Sequence, residues 1–456
     1  MTGGGPALDV RAAIARGVGR AARAAGRGGT SLPGKLMLRM DAGAITRLAA
    51  TLPRGSVVVS ATNGKTTTAA LAASVLEAAG IATVHNVAGA NMAGGVASAL
   101  LDRRAGAELG LFEVDEFWLD SVTAALAPRA IALGNLFRDQ LDRYGELETI
   151  GERWAALIAA RPTTLVLNAD DPLIADLGRE HADTLYFGIE DPAVASASGL
   201  AHASDSTRCR RCGAAYAYAH VYIAHLGVYA CPGCGRQRPQ PTVSAHDVRL
   251  DGLRGASFEL RTPLGTAGVR IALPGLYNVH NALTAAALAV TLEIAPATVA
   301  AGLAATSAVF GRGERVRIGD RELAILLIKN PAGANEVLRL LGAQDGSHDV
   351  LGILNDKIAD GRDVSWIWDA DFESLAPRIR RATCAGTRAA ELALRLKYAG
   401  VPVERISVTP ELATALAGAL EHATGELYAL PTYTAMLALR ELLTRRGQVQ
   451  SSWARG

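Results

Sequence analysis

The chain has 456 residues, half of them hydrophobic and a fifth charged, with a formal net charge of +2; this excludes a disordered or fibrous protein and allows two or three cores of ordinary domain size. No run approaches the roughly 18 consecutive apolar residues a membrane helix needs, and arginines stand where a signal peptide would carry its apolar core, so a cytoplasmic protein is expected. Four of the five cysteines form two CxxC pairs, which in a reducing compartment point to a metal site and not to a disulfide framework.

Residues 1–54 hold nine Lys or Arg against Asp9 and Asp41, so that segment is +7 and the remainder −5. On a helical wheel Arg16, Arg20, Arg23 and Arg27 fall within about 60° of one another, with Ile14 and Val18 on another side. Residues 1–50 are thus expected to form a basic, weakly amphipathic helical segment, its arginines either solvated or turned to anionic lipid at the inner face of the plasma membrane.

Ser56–Ser60 (SVVVS) reads as a short β-branched strand, and Thr67–Ala79 as an Ala-rich helix. The turn between them, Ala61 to Thr68 (ATNGKTTT), can cradle phosphates on backbone amides and the positive helix end. Lys65 adds a point charge there, and a threonine hydroxyl can reach magnesium. The general phosphate-loop spacing would place Gly at 59, where this chain has Val59. The apolar segments 109–114, 130–133 and 164–167 alternate with helical patterns, as a parallel sheet flanked by helices requires.

Between about Ser204 and Pro241 the composition shifts to Cys, Arg, Tyr and Gly. Cys209-x-x-Cys212 and Cys231-x-x-Cys234 lie 18 residues apart, and each second cysteine is followed by glycine, Gly213 or Gly235. Two such knuckles can fold four thiolates around one zinc ion, a closed set with no position left for catalysis. Alternation resumes over 243–260, with Val248, Leu250 and Phe258 between polar residues. From Leu323 a second α/β alternation begins, with strands near 324–328, 349–354, 381–385 and 427–430 and a helix near 388–399. Cys384 reads as a small buried residue, and Asp360 and Asp369 as carboxylates that cap turns or helices.

The loop ATNGKT resembles the GTNGKT loop of the Mur ligase family, with Ala61 in the place of its first glycine. Further motifs appear in the family's order. Glu113 in Phe112-Glu113-Val114-Asp115-Glu116 matches the magnesium-binding glutamate at a strand end. Asn135 and the run 138–145 (RDQLDRYG) resemble the central-domain segment, with Gln140 replacing a histidine. Asn168-Ala169-Asp170-Asp171-Pro172 resembles the nucleotide-side NADDP turn. Residues 275–282 (GLYNVHNA) resemble the helix start whose asparagine, here Asn281, contacts adenine, and Tyr277 stands in the usual histidine place. Gly311-Arg312 resembles the arginine at the start of the third domain that reaches the nucleotide phosphates.

The resemblance implies ATP and Mg²⁺ as cofactors. It assigns Thr62, Asn63, Gly64, Lys65, Thr66, Thr67, Glu113, Asn168, Asp171, Asn281 and Arg312 to the nucleotide, Thr66 and Glu113 to magnesium, and a catalytic role to Lys65. The four-cysteine insert, Lys329-Asn330-Pro331-Ala332-Gly333, Asn355-Asp356, the run 359–369 and Gly386-Thr387-Arg388-Ala389 narrow the resemblance to the MurT branch, the ligase-type subunits of lipid II isoglutaminyl synthases. That branch implies an α/β architecture: a Mur-ligase-type P-loop ATPase domain over 51–314 with a four-cysteine zinc ribbon inserted at 204–241, then a C-terminal Rossmann-like domain over 315–456. The implied reaction activates the α-carboxylate of D-Glu in the lipid II stem peptide and amidates it with ammonia from a GatD-type class I glutamine amidotransferase. Asp363 is implied to complete a Cys-His-Asp triad whose Cys and His lie on that partner; Lys357 departs from the asparagine usual in the same loop.

Two rival readings differ at identifiable residues. An amino-acid-adding Mur or folylpolyglutamate-type ligase would carry Asp-x-Ala-His-x-Pro where this chain has Leu326-Leu327-Ile328-Lys329-Asn330-Pro331. A nucleic-acid-binding zinc-ribbon ATPase draws support from Arg208, Arg210, Arg211, Arg236 and Arg238, but no helicase-like set accompanies them, and no nucleic-acid partner is expected.

Overall fold

The computed structural model describes residues 10–24, 31–86, 89–139, 147–197, 199–200, 204–306 and 312–449, with Arg23, Ala24 and Arg312 described by backbone alone. Arg27, Gln140 and Gly311, each singled out from the sequence, lie outside the described residues.

The chain opens with α1 (Val10–Ala24), α2 (Leu32–Met40) and α3 (Ala44–Ala49). α1 buries Ala12 and Ala15 and leaves Val10 and Ile14 exposed, so small residues and not the branched ones form its packed face. Arg16 is drawn in far enough for its Nη1 to donate to the Leu101 carbonyl at 3.4 Å.

A run of strand–helix units comes next: β1 (Ser56–Ser60), α4 (Lys65–Ala78), β2 (Thr83–His85), α5 (Ala93–Leu101), β3 (Leu109–Glu113), α6 (Leu119–Leu126), β4 (Ala130–Leu133), α7 (Leu147–Ala159), β5 (Thr164–Asn168), α8 (Pro172–Leu177) and β6 (Thr184–Ile189). These strands lie side by side in the order β6-β5-β4-β1-β3-β2 and every pair is parallel. β1, β3 and β4 are buried at every residue, because parallel strands joined by helical crossovers are covered on both faces. The strand period of two then divides the apolar side chains between two cores: Val57, Val59, Leu109 and Leu111 enter one, Val58, Phe112 and Ile131 the other.

The Cys-rich insert folds as a separate hairpin of β7 (Ala217–Ile223) and β8 (Leu226–Ala230). The chain then rejoins the first sheet. β9 (Val243–Leu250) pairs parallel with β6, and β10 (Ala256–Thr262) and β11 (Gly265–Ile271) continue antiparallel, giving nine strands. α9 (Leu276–Val290) packs between this sheet and α4 and is buried on nearly every side; α10 (Pro296–Ala305) completes that layer.

The second sheet contains β12 (Arg312–Ile318), β13 (Arg321–Leu326), β14 (His348–Ile353), β15 (Ile379–Ala385), β16 (Ile406–Val408) and β17 (Leu427–Pro431), in the order β12-β13-β17-β14-β15-β16. Only the β12–β13 hairpin is antiparallel. Helices α11 (Pro331–Gly342), α12 (Ala389–Tyr398) and α13 (Leu412–His422) lie in the connections between the parallel strands, and α14 (Tyr433–Arg445) follows β17. Because β12 is already paired at Arg312, a boundary at 314/315 would cut a strand, and the C-terminal sheet begins at Arg312. Cys384 is fully buried on β15, and burial pushes its thiol up to about 12. Asp360 is also buried and accepts from the Thr434 amide at 2.7 Å, satisfying the first turn of α14. No helix among the described residues is long and apolar enough to cross a membrane.

α2 lies across α5 through glycine. A Cβ on Gly34 would fall 1.9 Å from the Gly94 carbonyl oxygen and 2.6 Å from the Ser98 amide nitrogen, and the Gly34 amide donates to Ser98 Oγ at 2.8 Å. Both obstacles are backbone, so Gly34→Ala must separate the helices. An equilibrium urea titration should show this variant destabilised by about 2–3 kcal/mol, and a loss below about 0.5 kcal/mol would mean the helices are not in backbone contact.

Candidate active site

In a parallel sheet the loops beyond the carboxyl ends of the strands gather on one edge, and ligands bind there. β1, β3 and β4 deliver Ala61, Val114 and Gly134 to that edge. Gly64 precedes α4 with φ +87°, and a Cβ on it would sit 2.1 Å from Asn281 Oδ1; backbone conformation and crowding both demand glycine. Ala61 is not among the residues with positive φ, so its methyl group is tolerated where the family loop has glycine.

The loop is held from β4. The Thr62 amide donates to the Asn135 carbonyl at 3.0 Å, and the Asn63 amide to Asn135 Oδ1 at 2.9 Å. Thr62 Oγ1 accepts from the Phe137 amide at 3.1 Å. Thr66 is half-buried and Thr67 buried on the first turn of α4. Lys65 is buried; its Nζ donates to the Ala61 carbonyl and lies 2.7 Å from Glu116 Oε2. Burial alone would push this ammonium down, but the carboxylates of Glu116, Asp115 and Glu113 outweigh it and hold the group above its ordinary value. Glu113 is buried at the end of β3, its backbone clamped by Asn86 through the Glu113 amide at 2.9 Å and carbonyl at 2.7 Å. Acidic oxygens beside a phosphate loop are the donor set a hard divalent cation takes.

The C-terminal domain closes the other side. Asn63 and Asn330 exchange amide hydrogen bonds at 3.1 and 3.0 Å, and Lys329 Nζ donates to the Thr62 carbonyl at 3.0 Å and to Asp139 Oδ2 at 2.6 Å. Between the domains lies a cleft bounded by Asn63, Gly64, Thr67, Tyr277, Asn281 and Gly313 among others. Asn281 accepts from Thr68 Oγ1 at 3.3 Å and donates to Asn278 Oδ1 at 3.0 Å. Arg312 reaches this edge by its backbone, next to Gly313.

Asn168 and Asp171 do not line the cleft. Asn168 donates to the Gly134 carbonyl at 2.8 Å and accepts from the Asp170 amide, while Asp171 caps α8 through the Leu173 and Ile174 amides and accepts from the Leu136 amide. Their polar atoms are engaged by backbone, which is a positioning role. Asp170, passed over in the sequence, is the residue of that turn with the larger electrostatic load: fully buried, it holds His280 Nε2 at 2.8 Å and Arg238 Nε at 2.7 Å. Burial would raise its carboxyl, but Arg238 and His280 draw it below the ordinary value. Phe137, Ile223, Leu226 and Glu336 also line the cleft without having been expected there; no local pattern in the sequence marks them.

The four cysteines converge as their spacing requires. Sγ of Cys209 lies 3.6 Å from that of Cys234, Sγ of Cys212 lies 3.3 Å from that of Cys231, and all four fall within 4.8 Å of one another. A zinc tetrahedron with Zn–S of about 2.3 Å has edges of about 3.8 Å. Gly213 and Gly235 take φ of +75° and +72° and close each knuckle by donating to the Cys209 and Cys231 carbonyls. Burial opposes ionisation of Cys209, but the amides of Arg211 and Cys212 draw its thiol below the ordinary value. Of the arginines that supported a nucleic-acid reading, Arg238 turns inward to Asp170 and Arg236 pairs with Asp176 at 2.8 Å, leaving less cationic surface than the sequence suggests.

Asp363 stands apart from the cleft's lining, exposed, its Oδ1 accepting from the Ser365 amide at 2.8 Å. That hydrogen bond holds its carboxyl below the ordinary value.

Residues 59–229 match the Mur ligase middle domain family and residues 327–436 the MurT ligase C-terminal family. The chain is 36% identical to the lipid II isoglutaminyl synthase (glutamine-hydrolyzing) subunit MurT of Streptococcus pneumoniae, over 92% of this chain and 93% of that one. It is 34% identical to the subunit of the same name from Staphylococcus aureus, over 93% and 95%. The chain belongs to the MurT family of Mur-type ligases. As such it is an ATP-dependent ligase. The fold agrees: a pseudomurein peptide ligase type C from Methanothermus fervidus superposes with a TM-score of 0.67 at 23% identity, covering 88% of this chain and 80% of that one. MurF from Acinetobacter baumannii does so with 0.64 at 17%, over 90% and 80%.

The crowding at Gly64 yields a sharp expectation. Gly64→Ala forces the loop away from Asn281, and displacements of this size at a reacting centre cost about 10²-fold in rate. ATP turnover of the variant should fall by that factor while its thermal unfolding midpoint stays within a few degrees of the parent; near-normal turnover would exclude the loop as the phosphate site.

Proposed function

We propose that this chain activates the α-carboxylate of D-Glu in the lipid II stem peptide and amidates it to D-isoglutamine, with ammonia delivered by a GatD-type class I glutamine amidotransferase. The observation that carries this reading is the pairing of Lys329 and Asn330 with the phosphate loop. Amino-acid-adding relatives carry an Asp and a His in this segment; here a lysine pinned to Asp139 and an asparagine pinned to Asn63 stand instead. At this segment the third domain braces the loop with a lysine and an asparagine in place of that Asp and His.

The substrate carboxylate attacks the γ-phosphorus, ADP leaves, and ammonia displaces phosphate from the resulting acyl phosphate. Thr66 and Glu113 would hold magnesium, which would supply charge neutralisation at the phosphoryl group. Lys65 turns from Glu116 to the phosphates and Arg312 adds a second cation, both stabilising charge that grows in the transition state. The four-cysteine cluster holds one zinc ion as a structural site, its ligand set closed. At the membrane face, exposed Val10 and Ile14 beside Arg11 and Arg20 on α1 suit contact with anionic lipid.

Asp363 is assigned to the partner's catalytic histidine, fixing its tautomer and stabilising its cation. In the reconstituted complex, Asp363→Asn should depress glutamine-dependent amidation by about 10⁴-fold while ammonium-dependent amidation survives. Lys65→Ala should abolish both. Equal activity of Asp363→Asn with the two donors removes it from the triad, and an active Lys65→Ala overturns the phosphoryl-transfer assignment.

Metal analysis of purified protein should return one zinc per chain. Cys209→Ser should lower both zinc content and the unfolding midpoint, because a structural zinc contributes folding free energy. Less than about half an equivalent in undamaged protein would count against a zinc ribbon.

A further inference from the structure

The four-cysteine insert reaches further than its metal cluster. Its hairpin runs from the knuckles along β7 and β8 and turns at Ala224 and His225, and at that turn Ile223 and Leu226 form part of the cleft wall together with Phe137 and Tyr277. The phosphate loop supplies the opposite, polar boundary at Asn63, Gly64 and Thr67. An apolar wall set off from phosphate-binding amides matches a flat heteroaromatic base carried on a triphosphate.

This wall is rigidly tied to the cluster. The Gly227 amide donates to the Asp170 carbonyl at 2.9 Å and Tyr218 Oη donates to the His225 carbonyl at 2.9 Å. The buried His225 ring meets Phe137 edge-on at 5.0 Å, with its Nε2 3.4 Å from Asp171 Oδ2. At the other end of the hairpin, Tyr216 and Tyr229 pack around Cys209 and Cys231. Arg238, four residues past Cys234, returns to the Asp170 carboxylate that also holds His280 on α9. Cluster, hairpin and NADDP turn are therefore joined by continuous contacts.

We infer that the insert is part of the nucleotide site: Ile223 and Leu226 form the wall against which the purine base of ATP packs, and metal at the four cysteines sets nucleotide affinity by holding that wall in place. The inference rests on the cleft being the ATP site. Base affinity is then coupled to metal occupancy, and the coupling acts equally in both directions.

Calorimetric titration of the full-length, metal-loaded chain with MgATP tests the wall directly. Leu226→Ala should raise the Kd about tenfold and Leu226→Met should leave it within about twofold of the parent. Wild-type affinity in a folded Leu226→Ala variant overturns the inference. Reciprocity is tested in the unaltered chain, whatever the variants do: saturating MgATP should lower the zinc Kd, measured at equilibrium against a chromophoric chelator, about tenfold, and an unchanged or higher Kd overturns the coupling. A wild-type chain that gives no binding heat with MgATP would instead defeat the assignment of the cleft to ATP, and is distinguished from both results by its absence of a binding isotherm.

Discussion

Asp170 is a carboxylate without contact with water, and its ionisation there would be prohibitive without partners placed around it. Three separate pieces of chain meet that demand: the Ile189 amide donates to its Oδ2 from β6, His280 reaches it from α9, and Arg238 reaches it from beyond the second knuckle. The hairpin is tied to the same residue through its backbone, where the Gly227 amide donates to the Asp170 carbonyl. A buried charge compensated from several directions leaves few alternative arrangements, since losing one partner exposes the others to the full desolvation cost. The position of the insert relative to the ATPase core, and of α9 relative to the sheet, follows from this one group.

The cleft depends on a second, looser set of contacts across the two domains. Asn63 with Asn330, and Lys329 with Asp139 and Thr62, join half-buried groups to the buried Asn330 and Thr62, and polar contacts of this kind contribute only a modest net free energy. Lys65 is also committed, to Glu116 and to the carbonyl of Ala61. On the proposed assignment of this loop to the nucleotide, phosphates would compete for that ammonium with carboxylates that themselves suit a divalent cation, and a triphosphate bound with its metal would relieve both charges together.

Sequence motifs of the Mur type were legible because each is a contiguous segment whose geometry is local. The loop Ala61 to Thr68 sits between a strand and a helix that its own residue pattern predicts, and Gly64 is required by a backbone angle within that turn. The cysteine cluster is of the same kind, since each knuckle closes its own turn through a hydrogen bond from the residue after its second cysteine. The NADDP turn was legible as a turn, but which of its side chains face ligand was not. Asn168 and Asp171 are also held by the loop after β4, through the Gly134 carbonyl and the Leu136 amide, contacts that no spacing within the turn specifies.

By itself, then, the sequence determined the order of strand, phosphate turn and helix, the grouping of four cysteines in two knuckles, and a second α/β unit after the first, because short-range periodicity and turn chemistry encode them. Tertiary structure alone decided that β9, β10 and β11 extend the ATPase sheet, that Arg238 turns inward to Asp170 while Arg236 pairs with Asp176, that Lys329 meets Asp139, and that Ile223 and Leu226 join the cleft. Each of those outcomes depends on which distant segment supplies the compensating charge or the facing apolar surface, and that choice is made only when the whole chain buries its cores together.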